Sequence, residues 1–153
     1  MAAYIRNNNP TIVGLKVADA AGIAGGKLVK MANTGDDNIQ TATATLTGVD
    51  ADHAYLTVNV RHDWNIPGDD AIAVIPEGGY IAAVHPQPND EFVITVPAAA
   101  PFASATQCYF AANGTLTAGK GSAGFGLMDI LDQTTAYGQP ALHVRVLSWA
   151  ANS

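Results

Sequence analysis

The stretch YFAANGTLT, residues 109–117, sets the reading of this chain. An aromatic-rich run leads into Ala112-Asn113-Gly114, and a second run follows with Leu116 between two threonines. Asn-Gly tolerates the positive φ values of a tight turn, so the stretch predicts a β-hairpin closed by two residues. Working outward, residues 41–47, TATATLT, alternate strictly, with Ala42, Ala44 and Leu46 on one face and threonines on the other. A period of two is the signature of a half-buried strand. Residues 55–61 repeat it, with Leu56, Val58 and Val60 inward and Tyr55, Thr57, Asn59 and Arg61 outward. These two runs, joined by the polar GVDADH, are expected to pair antiparallel.

The same rhythm continues along the chain. Short apolar runs at 71–75, 80–84 and 91–96 are punctuated by HDWNIPGDD, PEGG, HPQPND and PAAAP. Proline removes a ladder donor, so these segments read as loops between strands. A run at 125–131, a polar turn DQTTAYGQP and a final strand at 141–147 complete the pattern. The helix candidates, 17–24 and 127–135, are short and bounded or broken by glycine, which leaves them marginal. The expected fold is mainly β: a single compact antiparallel β-sandwich or β-tulip-like domain over residues 11–153. Residues 1–10, which contain Asn7-Asn8-Asn9-Pro10, are expected to form an extended N-terminal arm. Tyr4 and Ile5 are apolar enough to want a partner.

Composition narrows the function. The 153 residues include only 13% charged side chains, against roughly 25% in ordinary soluble domains. Net charge is −6, and the seven Lys and Arg residues are scattered. Phosphate binding needs clustered cations, so neither nucleic acid nor anionic lipid is an expected partner. No apolar run approaches the about 18 residues of a membrane span, and the first residues show no secretory leader. Cys108 stands alone in a strand-like run and reads as a buried, inert thiol.

Candidate chemistry dissolves on inspection. His53, His62, His85 and His143 lack the spacing of a metal site, and His143 reads as an outward strand residue. Asp36-Asp37, Asp69-Asp70 and Asp90-Glu91 sit at turns, where Asp bonds its own backbone. Gly119, Gly121 and Gly124 fit G-x-G-x-x-G, but a dinucleotide site needs a strand before it and a long helix after it. The sequon Asn113-Gly114-Thr115 is accounted for by the hairpin turn. No catalytic residue, metal site or cofactor is expected, and the chain does not read as an enzyme.

Residues 105–147, ATQCYFAANGTLTAGKGSAGFGLMDILDQTTAYGQPALHVRVL, carry a resemblance. Cys108-Tyr109, Asn113-Gly114, Leu116, the run from Gly124 to Leu127, and Val144, Val146 and Leu147 stand in order. This resembles the capsid decoration (cement, or head-stabilising) proteins of tailed bacteriophages. Cys108 stands where that family more often has valine, and FASAT replaces a glycine-containing lead-in. The resemblance implies a structural virion protein on the outer capsid surface. It implies a homotrimer at three-fold positions, with the major capsid protein as partner, bracing the head against internal pressure. Tyr4, Ile5, Arg6, Pro10 and Ile12 are then the expected capsid or partner contacts. The alternatives are another virion or surface module, such as a tail, fibre or sugar-binding β domain, and a small trimeric β-enzyme. In a sugar-binding module Trp64, Tyr80 and Trp149 would stack on the ligand, although Trp149 also reads as an anchor of the C-terminal segment.

Overall fold

A computed structural model describes residues 3–7, 12–33, 40–43, 54–58, 74–111, 113–119, 124–136 and 138–151. The strands are β1 (Ala3–Asn7), β2 (Ile12–Val17), β3 (Leu28–Asn33), β4 (Gln40–Thr43), β5 (Ala54–Val58) and β6 (Tyr80–Val84). After them come β7 (Glu91–Thr95), β8 (Gln107–Phe110), β9 (Leu116–Thr117), β10 (Phe125–Ala136) and β11 (Gln139–Ala151). A 3₁₀ turn at Ala100–Phe102 is the only helical element among the described residues. The mainly β architecture expected from alternation and turn spacing is what the chain adopts.

Two layers are present. One is a six-stranded sheet in the order β1-β7-β11-β10-β8-β9, with every neighbouring pair antiparallel. The other is a closed barrel, β2-β4-β3-β5-β6. Its closure uses a parallel pair, with Lys16 opposite Thr41 and Val17 opposite Ala42, so the fold is not antiparallel throughout.

Two cores follow from this arrangement. Leu15, Val17, Ile23, Val29, Ile81 and Ala83 fill the barrel. Leu28, Ala54, Leu56, Val58 and Val84 project from the barrel's outer side and pack on Phe92, Ile94, Leu142, Val144 and Val146 of the sheet. Each fully buried side chain of this size contributes about 1.5–3 kcal/mol relative to exposure. The two faces of β5 thus serve different cores, which corrects one expectation. Tyr55 and Thr57, read from alternation as outward, face the barrel side, and Thr57 is fully buried. The Thr57 hydroxyl accepts from the Lys27 N–H at 3.0 Å and donates to the Ala24 carbonyl at 2.8 Å.

The pairing of β4 with β5 does not occur in the described residues. β3 lies between them, with Met31 opposite Ala42 and Val29 opposite Tyr55. Closing the barrel requires β4 to reach β2, which the intervening β3 allows. Residues 44–47 and 59–61 lie outside the described residues.

The opening hairpin forms, with Tyr109 opposite Thr117 and Phe110 opposite Leu116. Its loop differs from a two-residue turn. The Gly114 N–H donates to the Ala111 carbonyl at 2.9 Å, and the Ala111 N–H to that of Thr115 at 2.8 Å. Gly114 has φ +81°, whereas Asn113 is not in the left-handed region. The Asn113 Oδ1 instead accepts from the Thr115 hydroxyl at 2.6 Å. Three residues between paired ends, with glycine last, is the next commonest hairpin loop.

The expected turn DQTTAYGQP is mostly strand. Asp132–Ala136 continue β10 and pair with β11, Thr134 facing Ala141 and Ala136 facing Gln139. These polar residues are exposed because the ribbon extends past its neighbours, not because the backbone turns.

Candidate functional site

The described residues expected to meet a partner lie on two strands, β1 and β2. Ala3–Asn7, expected as part of an arm, form β1, the outermost strand of the chain's own sheet. Tyr4 stands opposite Val93 and Ile5 opposite Phe92. The register shifts between Ile5 and Asn7, so Arg6 is the extra residue of a bulge. Bulges are common at sheet edges, where they bend the strand and raise its twist. Ala3 is fully buried and ties the strand to the shared core. Ile12 begins β2 opposite Val84 and is 44% exposed. Pro10 lies outside the described residues.

The connection between β6 and β7 brings these two stretches together, because β6 ends opposite Ile12 and β7 begins opposite Asn7. That connection is held firmly. The buried Asp90 carboxylate accepts the Gln87 N–H at 2.9 Å, and the Asp90 N–H returns to the Gln87 carbonyl at 3.1 Å. Asn89, with φ +75°, donates to the Val146 carbonyl at 2.8 Å. Turn chemistry therefore accounts for Asp90, as the sequence led one to expect. The His85 ring meets Tyr55 edge-on at 5.5 Å, and Gln87 Nε2 lies 3.0 Å from its Nδ1. The result is a firm rim between an exposed isoleucine and an outer strand.

The outer face of the sheet carries a polar row that the sequence did not reveal. Glu91, Arg145, Asp129 and Gln107 stand opposite one another across four strands. Arg145 lies 3.8 Å from Asp129, and Gln107 donates to Asp129 at 3.4 Å. His143 is an outward strand residue, as expected, and its Nε2 lies 2.7 Å from Glu91 Oε1. Each residue sits at an outward position of an alternating run. Only the cross-strand register aligns them.

Other candidates resolve individually. Cys108 is fully buried, and burial, with a smaller contribution from the Asp129 carboxylate, pushes its thiol up to about 12. Trp149 is only 8% exposed, so it is not a sugar-stacking surface. It packs edge-on against Phe125 at 5.2 Å and Phe110 at 5.8 Å, as an anchor would. Tyr80 is 64% exposed. His53, His62, Trp64, Gly121 and the pairs Asp36-Asp37 and Asp69-Asp70 lie outside the described residues. Gly124 leads directly into strand β10, not into the helix a dinucleotide site needs. Among the described residues no three His, Cys, Asp or Glu side chains are grouped as a metal would require. No described helix is long and apolar enough to cross a membrane.

No family model, curated protein or solved structure matches this chain.

Proposed function

We propose that this chain is a structural protein of a phage virion that binds the outer surface of the capsid as a homotrimer at three-fold positions and stabilises the head. The observation that carries the reading is the C-terminal region. The segments that resemble decoration proteins fold as consecutive antiparallel neighbours, β9-β8-β10-β11, in one sheet. Their motif positions fall where such a hairpin needs them, with Gly114 at the left-handed residue of the loop and Val144 and Val146 in the core.

The major capsid protein is the partner, and the contact surface is β1, Ile12 and the rim at 85–90. An outermost strand can extend a sheet with a partner's chain through alternate backbone N–H and C=O groups. Ile12 supplies apolar area beside it. A specific contact of ordinary size buries about 800 Å² per partner, and a trimer multiplies the attachments by avidity.

The test is addition of purified protein to expanded, undecorated phage shells. Stoichiometric binding with a higher disruption temperature is the expected result. Shells that stay bare at saturating protein overturn the reading. Ile12→Asp is expected to weaken shell binding while leaving the β-rich fold intact.

A further inference from the structure

Gly14 lies mid-strand in β2, and neither conformation nor packing within the chain calls for glycine there. It is not among the glycines with positive φ. A Cβ added to it would meet no atom within 4 Å. Glycine in a strand interior costs about 0.5–1 kcal/mol relative to alanine. An otherwise unexplained strand glycine often marks close approach by another backbone or a ligand.

The surroundings of Gly14 describe what approaches. Leu15 and Val17 point into the barrel, so Gly14 and Lys16 face out. Lys16 stands opposite Tyr80. Lys16 is the one charged residue at the outward positions of β2 and β6, and it makes no ion pair among the described residues. The wall therefore offers a bare backbone floor with an exposed aromatic ring and a cation side by side.

A matching pair projects elsewhere on the same chain. The ribbon formed by the far ends of β10 and β11 is exposed from Leu131 to Thr135. Leu131 is 41% exposed at a β-bulge, and Asp132 follows it, in no ion pair among the described residues. One side presents tyrosine beside lysine, and the other leucine beside aspartate. The ribbon is narrow, and among the described residues its remaining exposed side chains are Gln133, Thr134 and Thr135.

We propose that the β10–β11 ribbon of one copy seats on the barrel wall of the next, Asp132 meeting Lys16 and Leu131 meeting Tyr80 above Gly14. The contact is heterologous, because wall and ribbon are different surfaces, and a rotation that brings the last copy back to the first closes it into a ring. The contact supplies the self-association that the capsid reading assumes, but it is tested without capsids.

The experiment is analytical ultracentrifugation of the full chain at concentrations up to about 100 µM, which captures any interface of micromolar strength. The parent chain is expected to sediment as a closed oligomer that weakens with added salt. Lys16→Glu and Asp132→Lys are each expected to weaken association about tenfold or more. The chain carrying both substitutions regains it, because the charges are exchanged. Gly14→Leu is expected to block assembly while its circular dichroism and thermal midpoint match the parent. A monomeric parent chain overturns the proposal. So does assembly indifferent to Gly14→Leu, or failure of the double exchange to restore it. The two readings fail separately: a chain that is monomeric in solution yet decorates shells removes this contact and leaves shell binding standing, and an oligomer that ignores shells removes the capsid reading alone.

Discussion

The indole N–H of Trp149 donates to the main-chain carbonyl of Ala54 at 2.9 Å, across 95 residues of sequence. Ala54 begins the barrel strand β5, and Trp149 lies near the end of β11 in the sheet. One side chain thus fastens the last strand of one layer to the wall of the other, and its ring fills the space between Phe110 and Phe125. Trp149→Ala is expected to destabilise the protein by about 3–5 kcal/mol, the usual cost of deleting a large buried aromatic. Trp149→Phe keeps much of the packing but leaves a buried carbonyl without its donor, which costs about 1–3 kcal/mol. Urea unfolding followed by circular dichroism measures both. Equal midpoints for parent and Trp149→Phe would show that the hydrogen bond adds nothing.

Two glycines of similar conformation should respond differently to alanine. Gly114 and Gly138 have φ of +81° and +74°. A left-handed alanine costs about 1–2 kcal/mol at either site. At Gly114 the new Cβ would also lie 2.5 Å from the Leu28 carbonyl oxygen, which accepts no such approach, whereas at Gly138 it would meet nothing within 4 Å. Gly114→Ala is therefore expected to be the more destabilising by at least about 1 kcal/mol. Its effect reaches the barrel, because the Leu28 N–H donates to the Gly114 carbonyl at 2.9 Å.

Thr57→Val preserves shape and removes a buried hydroxyl. The Lys27 N–H then loses the acceptor it has at 3.0 Å, and the Ala24 carbonyl its donor at 2.8 Å. A loss of about 1–3 kcal/mol is expected. Thr57→Ser, which retains the hydroxyl, is expected to recover most of it. A loss in Thr57→Ser with none in Thr57→Val would point to the methyl group instead.

Cys108 gives the stability a pH dependence with a definite sign. Its thiol is raised from 9.0 to about 12 in the fold, first by burial and then by Asp129. Above pH 9 the unfolded thiol ionises while the folded one keeps its proton, so the native state binds more protons. The contribution is complete below pH 9 and is lost as pH rises toward 12, at up to about 1.4 kcal/mol per unit. Cys108→Val is expected to flatten that part of the profile relative to the parent. At pH 8 a thiol reagent is expected to label the parent only after denaturant is added.

Much of the fold was legible because backbone periodicity is local. The alternation at 55–61 and 91–96 marked strands, and Asn113-Gly114 marked the hairpin. What local pattern does not carry is which strand lies alongside which. β4 and β5 looked like partners because they are adjacent in sequence, but β3 separates them. Tyr55 and Thr57 looked solvent-facing because one is amphipathic and the other polar. Barrel closure turns that face inward, and hydrogen bonds to Ala24 and Lys27 make burial of Thr57 tolerable. DQTTA looked like a turn because polar composition reports exposure, and an extended ribbon exposes both its faces. The same limit applies to the surfaces of interest. Ile12 could be singled out from the sequence, whereas the row from Glu91 to Gln107 exists only through register.

The position of β11 in the sheet has a consequence for biosynthesis. Residues 139–151 occupy an interior place, with β7 on one flank and β10 on the other. A nascent chain still lacking them can close the barrel but cannot join the two halves of the sheet. Phe92 and Ile94 then have no strand on that side until residues 139–151 have been made. Such long-range pairing is slow and leaves sticky edges uncovered in the meantime. A chain halted before residue 139 would carry a formed barrel and an aggregation-prone remainder.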